Sequence, residues 1–317
     1  MGGDIDFTPL NLPMSSKDLN EFRQHFVHSG APLPPHLAVN RIDLSVLYRQ
    51  KWNTAWENFV RIKKFAEINK VTFIERIDDF FYPGIMAAKS GFGMRTLYNC
   101  IRIEEAPRIE WGNFDWFGEH NNPKSHIHFG YIAIELTQYM PHMILDSRRN
   151  NVRSFGVEES QIKSQFSSDQ RIELEGDFAK YFTLYAPLQY RQDAYYIFTP
   201  DFMAELVDEA GDFDVEIIDN YMFLYRTAPF TQYTPELIDR ILRIVSIVGA
   251  KAQLRSGRYR DGRVISSSNR QAIPSVALEG RRLIPDTTLY KVIAIALWLF
   301  ALYILAMAVK NIVDALH

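Results

Sequence analysis

"RIEWGNFDWFGEHNNPKSHIHFGYIAIEL", residues 108–136, decides the fold class of this chain. Its flanks, 108–117 and 126–136, are dense in aromatic and β-branched residues, which suit a pleated surface. The stretch between them, GEHNNPKS, carries the Gly, Asn and Pro that favour a turn. An antiparallel hairpin is the expectation. Working outward, PHMILD (141–146) adds a strand, and SRRNNVRSFGVEESQIKSQF (147–166) reads as exposed connection.

Helical signals bracket this sheet. Ser16 followed by KDLNEFRQHFVHSG predicts a short helix stopped by Gly30, and APLPPHL then enforces extended chain. From about Leu44 to Lys70 a longer helix is expected, with Leu47, Trp52, Trp56, Phe59, Ile62 and Phe65 along one side. Thr199-Pro200 opens a helix that carries Met203, Leu206, Val207 and Ala210 at helical spacing and ends at Gly211. FDVEIIDNYMFLYR (213–226) alternates around Asp219-Asn220 as a hairpin would. Thr234-Pro235 starts a helix to about Leu254, apolar over enough of its circumference to be largely buried. The fold class is therefore α+β, an antiparallel sheet with packed helices.

The chain has 317 residues, 47% hydrophobic and 14% aromatic, which excludes disorder. Its single cysteine, Cys100, lies in the apolar run TLYNCIRI, so disulfide stapling and thiolate zinc sites are excluded and a buried, inert thiol is expected. The N-terminus has neither the basic region nor the apolar core of a secretory signal, and Phe7 and the nearby acids argue against N-myristoylation at Gly2.

Between Lys291 and Lys310 stand 18 residues without a charge. At 1.5 Å each they reach about 27 Å as a helix, close to the roughly 30 Å of bilayer hydrocarbon. Leu289, Tyr290, Ile312 and Val313 extend the segment while the lysines snorkel. Residues 251–291 hold nine Lys or Arg against three acids, a net of +6, which leaves −9 for residues 1–250 in a chain of −3 overall. Basic flanks stay on the cytoplasmic side and attract anionic lipid, so Arg281, Arg282, Lys291 and Lys310 are read as anchor flanks. Few residues follow the segment, as in a tail anchor. The expected layout is an extension with a short helix (1–40), an α+β cytoplasmic domain (41–254), a flexible basic linker (255–288), one C-terminal transmembrane helix (289–313) and a short tail (314–317).

"LEGDFAKYFTLYAPLQYRQDAYYIFTPDFMAELVDEAGDFDVEIIDNYMFLY" (174–225), with "MPHMILDSRRNN" (140–151), resembles an uncharacterised family of bacterial membrane-associated proteins found in actinobacteria and Saccharibacteria. The resemblance covers Phe65 to Arg226 and GRRL (280–283). It implies a bacterial membrane protein with a shared α+β domain, and it brings no activity or catalytic residue.

One constellation bears on chemistry: His120, His126, His128 and His142, with Asp146 as an additional oxygen donor. His126 and His128 share a strand face, and zinc needs three or four such ligands. Histidines at the start of a strand beside a polar turn are more often hydrogen-bonded structural residues, and His128 shares its face with the apolar set Ile132, Ile134 and Leu136. Gly91-x-Gly93 lacks the remainder of a phosphate loop, no nucleophile elbow is present, and a domain at −9 repels nucleic acid. No catalytic residue, cofactor or metal is assigned. The expected function is a membrane-anchored, cytoplasm-facing binding or scaffolding domain at a bacterial plasma membrane, partnered by anionic lipid and an unknown protein. The alternative is a membrane-tethered metal-dependent hydrolase using the histidines.

Overall fold

The computed structural model describes residues 5–13, 15, 17, 58–78, 80, 82–84, 94–117, 126–154, 157–159, 166–173, 176–230, 233–264 and 276–284. Residues 18–30 of the predicted short helix, residues 44–57 of the longer one and the transmembrane segment 289–313 lie outside these residues. Among the described residues no helix is long and apolar enough to cross a membrane.

The chain is mixed α and β, as expected. A short helix α1 (Thr8–Asn11) and a helix α2 (residues 58–68) precede four consecutive antiparallel strands: β1 (Thr72–Asp78), β2 (Met94–Ile103), β3 (Ile109–Phe117) and β4 (His126–Ser147). The predicted hairpin is β3–β4, in register from Ile109 opposite Ile134 to Phe117 opposite His126. The long helix expected to reach Lys70 stops at 68, where Lys70 takes a positive φ of 54° before β1. A backbone ribbon of β5 (Val152–Ser154) and β6 (Val157–Glu159) leads to the short strands β7 (Arg171–Ile172) and β8 (Phe182–Tyr185). Helices α3 (Arg191–Ile197) and α4 (Pro200–Ala210) then precede β9 (Asp214–Arg226). Helix α5 (Pro235–Ile244), a π turn (Val245–Gly249) and α6 (Ala250–Arg258) form one continuous helical run.

Two expectations are corrected at the centre of the sheet. PHMILD does not form its own strand: β4 runs through Pro141, and its ladder with β9 shifts register between Glu135 and Met140 and again between Met140 and Met143. A proline, which has no N–H to donate, is accommodated where the ladder is already broken. Residues 213–226 likewise form no hairpin. β9 passes straight through Asp219, whose φ of 52° makes a bulge opposite Met140. Asp readily takes this left-handed conformation, and here it serves a bulge instead of a turn.

These irregularities switch side-chain parity. Val215 and Ile217 face the same core cluster as Met222 and Leu224, and Ile132 and Ile134 the same cluster as Met143 and Leu145. That first face is covered by α4, α5, the π turn and α6 through Phe202, Leu206, Ile238, Ile241, Ile244, Val248 and Ala252. The second carries Leu97, Cys100, Phe114, Tyr131, Ile144, Ile218, Phe223 and Tyr225, covered by Phe80, Tyr82 and Leu283. Each large side chain removed from water contributes about 1.5–3 kcal/mol, and a sheet buried on both faces loses the simple alternation of a one-sided strand.

The helix starts follow the sequence closely. Thr234 accepts from the Leu237 N–H at 3.2 Å, with Pro235 in the first turn. Thr199 stands at the start of α4 without capping it; its hydroxyl donates to Asp201 and accepts from Arg255.

Candidate functional site

Glu110 and Glu216 are buried carboxylates on the second sheet face. Glu110, on β3, accepts from the hydroxyls of Tyr82 at 3.1 Å and Tyr131 at 2.5 Å through one oxygen. Its other oxygen accepts from Arg102 Nε at 2.6 Å. Glu216, on β9, accepts from the Tyr225 hydroxyl at 2.7 Å and meets His142 Nε2 at 2.8 Å. A ring layer runs between them: Tyr82 packs edge-on against Tyr131, Tyr221 and Phe223, and Phe223 stacks on Tyr225. Burial, reinforced by the neighbouring carboxylates, pushes the Tyr82 and Tyr225 hydroxyls well up, so both remain protonated donors. Each of these two carboxylates thus has fixed donors on both oxygens, an arrangement that holds structure.

Gly84 lies directly against the Glu216 carboxylate at a φ of 91°, where any Cβ would collide with it. The other ring nitrogen of His142, Nδ1, accepts from the Leu283 N–H at 2.9 Å. Nδ1 is therefore unprotonated and Nε2–H donates to Glu216. His142 joins β4, β9 and the C-terminal segment 276–284.

That segment is seated along its whole length. Gln170 exchanges two hydrogen bonds with Ile284, donating to its carbonyl at 2.7 Å and accepting from its N–H at 2.8 Å. Gly280 sits against the Tyr190 ring so closely that a Cβ would overlap it. The Tyr190 hydroxyl donates to Asp261 at 2.6 Å, Asp261 accepts from the Ala277 N–H at 2.9 Å, and Arg263 lies over the Tyr190 ring while pairing with Asp193 and Asp261. Arg282 makes a two-pronged pair with Asp219 at 2.7 and 2.9 Å. The expected flexible linker 255–288 is thus replaced, in its described parts, by the end of α6 and two docked segments. Tyr259, Val276 and Leu283, all buried, are the reason. Of the four predicted anchor flanks, Arg282 is spent on Asp219, Arg281 donates to the Val276 carbonyl, and Lys291 and Lys310 lie outside the described residues.

Of the four candidate histidines, the two whose side chains are described do not meet. His120 and the side chain of His126 lie outside the described residues. His128 is exposed at the start of β4, while His142 is buried and fully engaged 14 residues along the same strand, on the order of 40 Å away. The parity switch also puts the two on opposite faces. Asp146 is buried beyond His142, and no group of three metal-binding side chains occurs among the described residues.

A cavity of about 640 Å³ opens at the other end of the sheet. Phe65, Val71, Ile103, Trp111 and Leu242 give it apolar walls, and Lys70 and Arg102 also line it. Phe7 stacks on Phe65, and Asp6 and Asn69 exchange hydrogen bonds at 2.8 and 2.9 Å, which fixes the N-terminal segment there. The buried indole N–H of Trp111 has no hydrogen-bond partner among the described residues.

The carboxylates were not legible as a pair, because Glu110 and Glu216 sit in strands buried on both faces. A lone acid inside an apolar run was the available signal.

No family model matches the chain, and no curated protein matches it in sequence. Among solved structures, the crystal structure of the mycobacterial trehalose monomycolate transport factor A, TtfA, is similar at a TM-score of 0.39 and 13% identity, over 62% of this chain and 94% of that one.

Proposed function

We propose that the chain is a membrane-anchored binding and scaffolding domain, facing the cytoplasm of a bacterial cell and held by a spanning helix over residues 289–313. The charge-free stretch between Lys291 and Lys310 carries this proposal. Its length matches the hydrocarbon core, and the +6 stretch before it sets the orientation. The seating of Leu283 and Ile284 supports a close-held body, because Ile284, the last described residue, stands seven positions before Lys291.

Binding is assigned to the cavity beside Trp111. Its size falls within the roughly 300–1,000 Å³ of small-molecule sites. Its apolar walls suit a ligand that has an apolar body.

Flotation tests the anchor. The full chain rises with vesicles, and a chain ended after Ile284 stays behind while remaining folded. A full chain recovered without lipid would end the proposal. The cut must follow Ile284, because one at Leu254 would strip Tyr259, Val276 and Leu283 from the core.

A further inference from the structure

Within residues 276–284 the backbone buries Val276, Gly280 and Leu283 and leaves the side chains between them part-exposed or exposed. Gly280 and Leu283 are buried, while Leu278 and Ile284 are 74% and 67% exposed, the highest values for large apolar side chains among the described residues. Arg281 stands midway between those two and has no carboxylate partner among the described residues. A scattered exposed leucine is ordinary. Two such residues on one docked segment, with Arg281 between them in sequence, form a row along the chain.

The neighbouring surface continues it. Leu188, half exposed, belongs to the turn Leu188–Tyr190, which packs on the turn Leu278–Gly280 where Gly280 meets Tyr190.

We propose that Leu278, Arg281 and Ile284 rest in the headgroup layer of an anionic bilayer, so that the body sits on the membrane in one orientation. This rests on residues 289–313 spanning that bilayer. The position of the row selects the lipid as occupant: residues 285–291 reach at most about 25 Å when fully extended, so the surface that ends at Ile284 stays near the membrane. Charge agrees at Arg281, a cation with no carboxylate partner among the described residues, which anionic headgroups attract. Aliphatic side chains beside an arginine are also the composition that settles at the acyl boundary.

The test uses full chains carrying Leu278→Cys, Ile284→Cys or, as a control, Lys180→Cys, each labelled with a polarity-sensitive fluorophore. Lys180 is 71% exposed on a turn distant in sequence. Cys100 stays in place, because it is fully buried and burial pushes its thiol well up. The chains are floated with vesicles of phosphatidylcholine and phosphatidylglycerol, then exposed to aqueous iodide. Labels at 278 and 284 shift to the blue and quench several-fold more slowly than the label at 180, and the protection shrinks in pure phosphatidylcholine. Chains that float while all three labels quench alike overturn the inference and leave the anchor standing. Chains that do not float overturn the anchor and the inference together. Protection that rises with the protein-to-lipid ratio assigns the row to a second copy and also overturns it.

Discussion

Leu283→Ala tests the seat of the C-terminal segment. Leu283 is 5% exposed and packs in the second-face cluster with Phe80, Tyr82, Tyr185 and Phe223. Leucine-to-alanine changes in cores cost about 2–5 kcal/mol, and a segment able to settle into the gap falls near the lower end, about 2–3 kcal/mol. The hydrogen bonds from the Leu283 and Ile284 N–H groups to His142 and Gln170 do not depend on the side chain. The substitution therefore weakens the seat while leaving its polar contacts in place. If the segment opens on its own, 2–3 kcal/mol raises its opening constant about 30- to 150-fold. Hydrogen exchange of the 276–284 peptide in the full chain, read by mass spectrometry, should accelerate by that factor while β3 and β4 stay protected. Unchanged exchange would refute the reasoning. So would acceleration across the whole sheet, which would make the segment inseparable from global unfolding.

Glu110→Ala removes the acceptor shared by Tyr82, Tyr131 and Arg102. Partly relieved by solvent at Arg102, it should destabilise by about 2–4 kcal/mol in denaturant titration, and a loss below about 1 kcal/mol would show that the carboxylate is not holding the face. Gly112→Ala places a Cβ 2.9 Å from Cys100 Cα, an overpacking worth about 1–3 kcal/mol. Adding Cys100→Ala should not restore the loss, because the backbone contact remains, and full rescue would contradict this. Burial works to raise Asp261, but hydrogen bonds from Tyr190, Ala277 and Arg263 outweigh it and hold the carboxyl below its ordinary 3.8. A depressed folded value stabilises above the unfolded pKa and loses that contribution as pH falls through the folded one. The Ala277 seat should therefore loosen below about pH 4, measured as exchange corrected for intrinsic rate. Asp261→Asn should flatten this dependence, and an unaltered profile would rule Asp261 out as its source.

The hairpin of β3 and β4 was legible because its aromatic flanks and polar turn leave little else to form. The continuity of β4 and β9 was not. Pro141 and Asp219-Asn220 are ordinarily chain-reversal signals, and the backbone uses them for facing irregularities in paired strands. Strands β1 and β2 escaped notice for a related reason: with both faces of the sheet covered, period-two alternation is lost. The same parity switch separates two of the candidate histidines, since even-numbered His128 and His142 stand on different faces. The C-terminal seat was hidden by composition. Gly257, Gly262 and Ser266–Ser268 suggest a tether, yet three separated apolar residues, Tyr259, Val276 and Leu283, suffice to dock the described parts of it.

Vesicle flotation of the full chain beside a chain ended after Ile284, in neutral lipid at high salt to suppress surface attraction, tests the central claim most directly. The full chain should rise with the vesicles, and the shortened chain should remain in the dense fraction with its sheet still protected from exchange. A full chain left in the dense fraction, or a shortened chain that rises equally, would contradict the account.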